Sequence, residues 1–116
     1  MHKFRKLKVW QRAMDFVTEI DRVTNQFPRS EQFGLTSQIR RASISIPLNI
    51  AEGAGAGSDV EFQRFLNFAL RSTYEVTSAL EIAKKLNHCS AEKSNAFPDE
   101  ADQIAAMIVV LSRKLG

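Results

Sequence analysis

A single cysteine, Cys89, stands among 116 residues, so no disulfide can close within the chain. With nothing resembling a signal peptide at the start, the expected setting is a reducing, cytoplasmic one. No stretch approaches the roughly 18 uninterrupted apolar residues of a membrane span, and a soluble protein is expected. Histidine is scarce: His2 and His88 lie far apart, and Glu-x-x-His, the di-metal bundle signature, does not occur. His88 and Cys89 are adjacent, and neighbours in sequence seldom face each other as nucleophile and base. No catalytic residue, metal or cofactor is therefore expected, nor a small-molecule substrate. An enzyme using Cys89 or a carboxylate pair is a third, weaker class.

What is present is an ordinary globular composition, 44% hydrophobic and 25% charged. It fits one domain spanning 1–116 and excludes a disordered tail or a disulfide scaffold. The net charge of +3 is unevenly spread. Lys3, Arg5, Lys6, Lys8 and Arg12 fall in the opening segment with no acid among them, whereas the rest of the chain is slightly acidic. A basic N-terminal arm, about residues 1–7, suits a phosphate backbone or an acidic partner. A solvated terminus is the structural alternative.

Helical periodicity runs through the chain. Val9, Ala13, Phe16, Ile20, Val23 and Phe27 recur by four and three, predicting a helix over 6–26 that Pro28 ends. Leu35, Ile39, Ala42, Ile46 and Ile50 carry the same period through Pro47. A helix is expected there, capped by Thr36 or Ser37, bent near Ser43 and ended at Gly53. Ser58 and Glu61 make a capping box for a third helix reaching about residue 88, with Phe62, Phe65, Ala69, Thr73, Val76, Leu80 and Ala83 on one stripe. Residues 87–97 read as a polar connector. Pro98 then opens a fourth helix over 98–115, with Asp99, Glu100 and Asp102 in its first turn and Arg113 and Lys114 at its negative end. Four striped helices with short connectors predict an all-α, antiparallel up-and-down four-helix bundle.

The stretch ISIPLNIAEGAGAGS imitates a strand followed by a phosphate-binding loop. The glycine spacing does not fit G-x-G-x-x-G, Pro47 would interrupt the strand, and no other segment offers a parallel partner. The glycines read instead as a reversal between helices, free to take positive φ.

Ile44, Leu48 and Ala51 form a second apolar stripe, nearly opposite the core stripe of the same helix. Met107 and Val110 likewise lie beside the fourth helix's core stripe. A helix apolar on two sides is buried on two sides, so self-association is expected. Arg40 and Arg41 flank that outer stripe. They are read either as ion-pair partners of Glu52 or Glu75, within the chain or across subunits, or as phosphate contacts.

Three segments then carry a resemblance: F-x-x-L-x-V-W-Q-x-A, FPRSEQFGLTSQIRRASISIPLNIAEG and SDVEFQRFLNFALRSTYEV. From Phe4 to Leu86 the chain resembles the four-helix-bundle family of 23S ribosomal RNA intervening-sequence proteins. That family is itself similar to the accessory variability protein of diversity-generating retroelements. The resemblance implies a ring-shaped homo-oligomer, commonly a pentamer, with RNA or a reverse transcriptase as partner. The resulting expectation is a non-enzymatic homo-oligomer that binds RNA, or an RNA–protein complex, through Lys3, Arg5, Lys6, Lys8, Arg12, Arg40 and Arg41. Its subunit interface is expected at Arg41, Ile44, Leu48, Ala51 and Glu52. A protein-interaction scaffold with no nucleic-acid role is the alternative.

Overall fold

The computed structural model describes residues 2–89 and 91–116, and the side chains of 2–89 and 99–116. Among these, four helices form, α1 (Lys8–Thr24), α2 (Leu35–Ala54), α3 (Asp59–Lys85) and α4 (Ala91–Leu115), with short 3-10 turns at Phe4–Lys6 and Arg29–Glu31 and no strand. The body measures 43 × 23 × 19 Å. Contacts between neighbouring helices set their directions. Arg40 near the start of α2 bonds Thr24 and Asn25 at the end of α1, and Ser45 of α2 meets Ser72 of α3. Gln63 near the start of α3 donates to the carbonyl of Ser112 near the end of α4, and Arg12 of α1 reaches Glu100 of α4. These contacts are compatible with an up-and-down bundle in which each helix runs antiparallel to the next.

Most of the core comes from the stripes read from the sequence, although Leu35 and Phe65 are only partly buried. Phe16 and Ile20, Ile39, Ile46 and Ile50, Phe62, Leu66, Val76 and Leu80, and Ile104 and Ile108 are all buried. Each such side chain contributes roughly 1.5–3 kcal/mol by leaving water. Pro47 does lie inside α2, and its ring is buried. The Ser43 hydroxyl bonds the Arg40 carbonyl one turn back (2.9 Å), and Asn49 Nδ2 donates to the Ser45 carbonyl (2.8 Å).

Several local expectations are corrected. The first helix starts at Lys8, because Leu7 is extended and breaks it from the preceding 3-10 turn. Gly34, not Thr36 or Ser37, is the N-cap of α2, and Thr36 is buried within the first turn. Gly53 does not end α2; the helix runs to Ala54. No described glycine has positive φ, and the left-handed residue is Asn87 (φ 60°), just after α3. Gly53 instead lets two helices touch. A Cβ there would sit 2.8 Å from the Phe65 Cβ and 2.9 Å from Phe62 Cδ1. Half of the capping box forms: Ser58 Oγ accepts from the Glu61 amide (3.2 Å), while the Glu61 carboxylate turns to Arg64.

The fourth helix begins at Ala91, seven residues before Pro98. Ala, Glu and Lys favour helix strongly enough to extend it upstream, so the connector is shorter than expected. Asp99, Glu100 and Asp102 are therefore not first-turn acids, and Glu100 serves α1 instead.

Candidate functional site

Helix directions bring the start of α1, the end of α2, the start of α3 and the end of α4 to one pole. The N-terminal residues fold onto it. His2 donates its backbone N–H to the Ala54 carbonyl (2.9 Å), and its ring packs on Phe62 at 5.0 Å between centroids. Phe4 meets Trp10 edge to face, and the Arg5 guanidinium lies over the Phe4 ring at 4.8 Å. Lys3, Arg5, Lys6 and Lys8 are exposed around this anchored turn.

Arg113 and Lys114 arrive at the same pole from the other end of the chain. Lys114 faces Leu7 and Lys8 across one groove, and Arg113 borders Gln63 of α3. None of these six cations has an ion-pair partner among the described residues. Reading Arg113 and Lys114 only as complements to a helix dipole missed this convergence. Counting four alternating helices would have found it, because the chain's first residues and the end of the fourth helix must then share a pole.

Arg12 and Arg40 are placed differently. Arg12 donates through Nη2 to Glu100 Oε2 (2.7 Å) and Gln103 Oε1 (2.6 Å) and through Nε to Glu100 Oε1 (3.1 Å), joining α1 to α4. Arg40 donates through Nε to Thr24 Oγ1 and through Nη2 to Asn25 Oδ1, both 2.8 Å, with Asp21 Oδ1 at 3.5 Å. Both guanidiniums are thus spent on helix-to-helix contacts within the chain. The acid beside Arg40 is Asp21, rather than either Glu52 or Glu75. Arg41 remains exposed in a polar groove between α2 and α3 that Ser45, Ser72 and Glu75 also line.

Arg41, Ile44, Leu48, Ala51 and Glu52 follow one another along the outward side of α2. Ile44 is 44% exposed and Leu48 55%. Phe33, at the mouth of the Arg41 groove, is 91% exposed and Tyr74 on α3 is 59% exposed. Neither aromatic stood out in the sequence, because both lie off the core stripes. Of the α3 phenylalanines, Phe62 is core. Phe65 and Phe68 are half-buried, meet edge to face at 5.8 Å and carry Arg64 over both rings.

At the opposite pole His88 Nε2 lies 2.8 Å from Glu31 Oε2 and beside the Phe27 ring, tying two connectors together. Burial pushes the Cys89 thiol above its ordinary value, with Lys84 pulling weakly the other way; that favours the thiol over the reactive thiolate. Among the described residues no His, Cys, Asp and Glu cluster could hold a metal ion, and no helix is long and apolar enough to cross a membrane.

No curated protein matches the chain in sequence. Among solved structures it is similar to a protein of unknown function from the S23 ribosomal protein family of Bacteroides thetaiotaomicron VPI-5482. The TM-score is 0.84 at 23% identity, covering 90% of this chain and 97% of that one. At that identity the likeness establishes the fold. The family of 23S rRNA-intervening sequence proteins matches residues 5–110, nearly the whole bundle, and the chain belongs to that family.

Proposed function

We propose that the protein is a non-enzymatic, homo-oligomeric bundle that binds RNA, or an RNA–protein complex, through its cationic pole. The observation that carries this reading is the convergence of Lys3, Arg5, Lys6 and Lys8 with Arg113 and Lys114, all without an ion-pair partner among the described residues. Unpaired cations on a fixed turn suit a phosphate backbone, since releasing the counterions of RNA drives association. Arg41 is a further candidate for meeting phosphate, whereas Arg12 and Arg40 already hold helices together.

Self-association through the outward side of α2, where Ile44 and Leu48 are exposed, is part of the same proposal. Copies of a modest cationic patch on one assembly raise avidity for a long polyanion. A fluorescent RNA hairpin titrated at low salt tests it. Binding is expected to fall steeply as salt rises, and Lys3→Glu, Arg5→Glu, Lys6→Glu and Lys8→Glu together are expected to abolish it while assembly persists. Neutralising any one phosphate-binding cation is expected to lower the log–log salt slope by about 1. No binding at low salt rejects the RNA reading.

The second reading, a protein scaffold with no nucleic-acid role, rests on the exposed Phe33, Ile44, Leu48 and Tyr74. Light scattering of the wild type and of Leu48→Glu tests assembly directly. A multimer converted toward monomer by the substitution is expected, and a monomeric wild type at micromolar concentration rejects self-association through the α2 face.

A further inference from the structure

Between the first turns of α1 and the last turns of α4 the surface opens into an apolar groove of about 410 Å3. Val9 on α1 and Met107, Val110 and Leu111 on α4 form its walls, and Lys8 and Lys114 are the charged groups on its rim. Val110 is 51% exposed although aliphatic. Neither lysine has a carboxylate partner among the described residues. The α4 residues involved run from Ala106 to Lys114, roughly 12 Å at 1.5 Å per residue. Beyond Met107 the trough meets Arg12, whose Nη1 is 3.6 Å from Met107 Sδ and whose charge Glu100 already answers. The unanswered positive charge therefore lies at the polar end of the trough alone.

This geometry discriminates between occupants. A trough between two antiparallel helices accepts the ridge of a third helix, with side chains at i and i+4 as anchors. RNA bases want aromatic faces or hydrogen-bonding edges, and these walls are aliphatic carbon and a thioether. Two unpaired ammonium groups on the rim favour an anionic partner, and the aliphatic walls make that partner a peptide with carboxylates rather than a nucleic acid. We propose that this groove docks an acidic amphipathic helix of a partner protein. Two apolar side chains, one turn apart, fill the trough over Val110, and flanking carboxylates reach Lys8 and Lys114. The inference does not depend on RNA binding.

The test uses the full chain labelled with 13C at its methionine methyl groups. Met107 reports the groove, and Met14, exposed elsewhere on α1, is the internal control. The probe is a synthetic alanine-rich helical peptide carrying leucines at i and i+4 flanked by glutamates, set against the same peptide with lysines for glutamates. The glutamate peptide is expected to shift Met107 and not Met14, and to bind about tenfold more tightly than the lysine peptide. Val110→Glu is expected to remove the Met107 shift. Lys8→Glu with Lys114→Glu is expected to reverse the peptide preference, and should that pair lower the melting temperature, Lys8→Gln with Lys114→Gln is expected to erase the preference instead. The proposal is overturned if the glutamate peptide leaves Met107 unmoved, or if both peptides bind alike. It is equally overturned if Met107 responds only to an RNA hairpin, to phosphatidylglycerol vesicles or to the protein's own concentration, the last assigning the groove to a second copy.

Discussion

Two seams of the bundle, α2 against α3 and α1 against α4, are built on opposite principles. Along the first, backbone approaches side chain so closely that a single Cβ at Gly53 would strike Phe62 and Phe65, and Ser45 and Ser72 exchange a hydrogen bond at 2.9 Å. Along the second, the long Arg12 side chain spans to Glu100 and Gln103, and beyond it the helices part around an open groove. At its Gly53 end the first seam is held by shape and leaves no room for a Cβ, while toward Arg41 it opens into the polar groove that Ser45, Ser72 and Glu75 line. The second combines buried apolar packing with a polar strut and, beside it, an open surface groove. The bundle is closely packed where Gly53 of α2 meets Phe62 and Phe65 of α3, and open at the pole that carries the unpaired charge.

The largest test of that contrast is Gly53→Val. Overpacking against Phe62 and Phe65 is expected to cost about 3 kcal/mol, read by urea unfolding, with Gly53→Ala milder because alanine returns up to about 1 kcal/mol of helix propensity. A wild-type midpoint for the valine variant would mean that the seam is loose. Next comes Arg12→Met, which removes the strut but keeps an apolar stem against Met107. A loss of about 1.5 kcal/mol is expected, and a double-mutant cycle with Glu100→Gln would assign most of it to the pair. Ser72→Ala should follow at about 1 kcal/mol, the usual worth of one half-buried hydrogen bond. Smallest is Val110→Glu, expected to change stability by less than about 0.5 kcal/mol, since the side chain is largely in water. A large loss there would show that the groove is closed in solution.

Much of this was legible beforehand because burial imposes a period. The stripe Leu35, Ile39, Ala42, Ile46, Ile50 carried α2 through Pro47, where a strand reading would have failed at the proline. Gly53 was misread for a physical reason. A glycine after the last apolar residue looks the same whether it supplies a left-handed cap or merely lacks a Cβ, and only the neighbouring helix distinguishes the two. The turn-ending role belongs to Asn87 after α3 instead. The start of α4 was misplaced because a proline at a first turn is the stronger local signal, although Ala91, Glu92 and Lys93 already favour helix. The site was only half legible. Basic residues could be counted, but whether a guanidinium is free depends on what topology sets beside it. Arg40 meets Thr24 and Asn25, Arg12 meets Glu100, and Arg113 and Lys114 join a cluster begun at Lys3.

Pro47 has a consequence for motion. It removes one rung from the amide ladder at the middle of α2, so the neighbouring rungs and the packing of Ile46 and Ile50 carry the helix across that turn. Deuterium uptake is therefore expected to run faster at the amides of residues 48–51 than in the uninterrupted centre of α3. Because Ile44 and Leu48 flank the missing rung on the outward face, a neighbouring copy settling over them would slow that uptake, turning a backbone irregularity into a gauge of assembly.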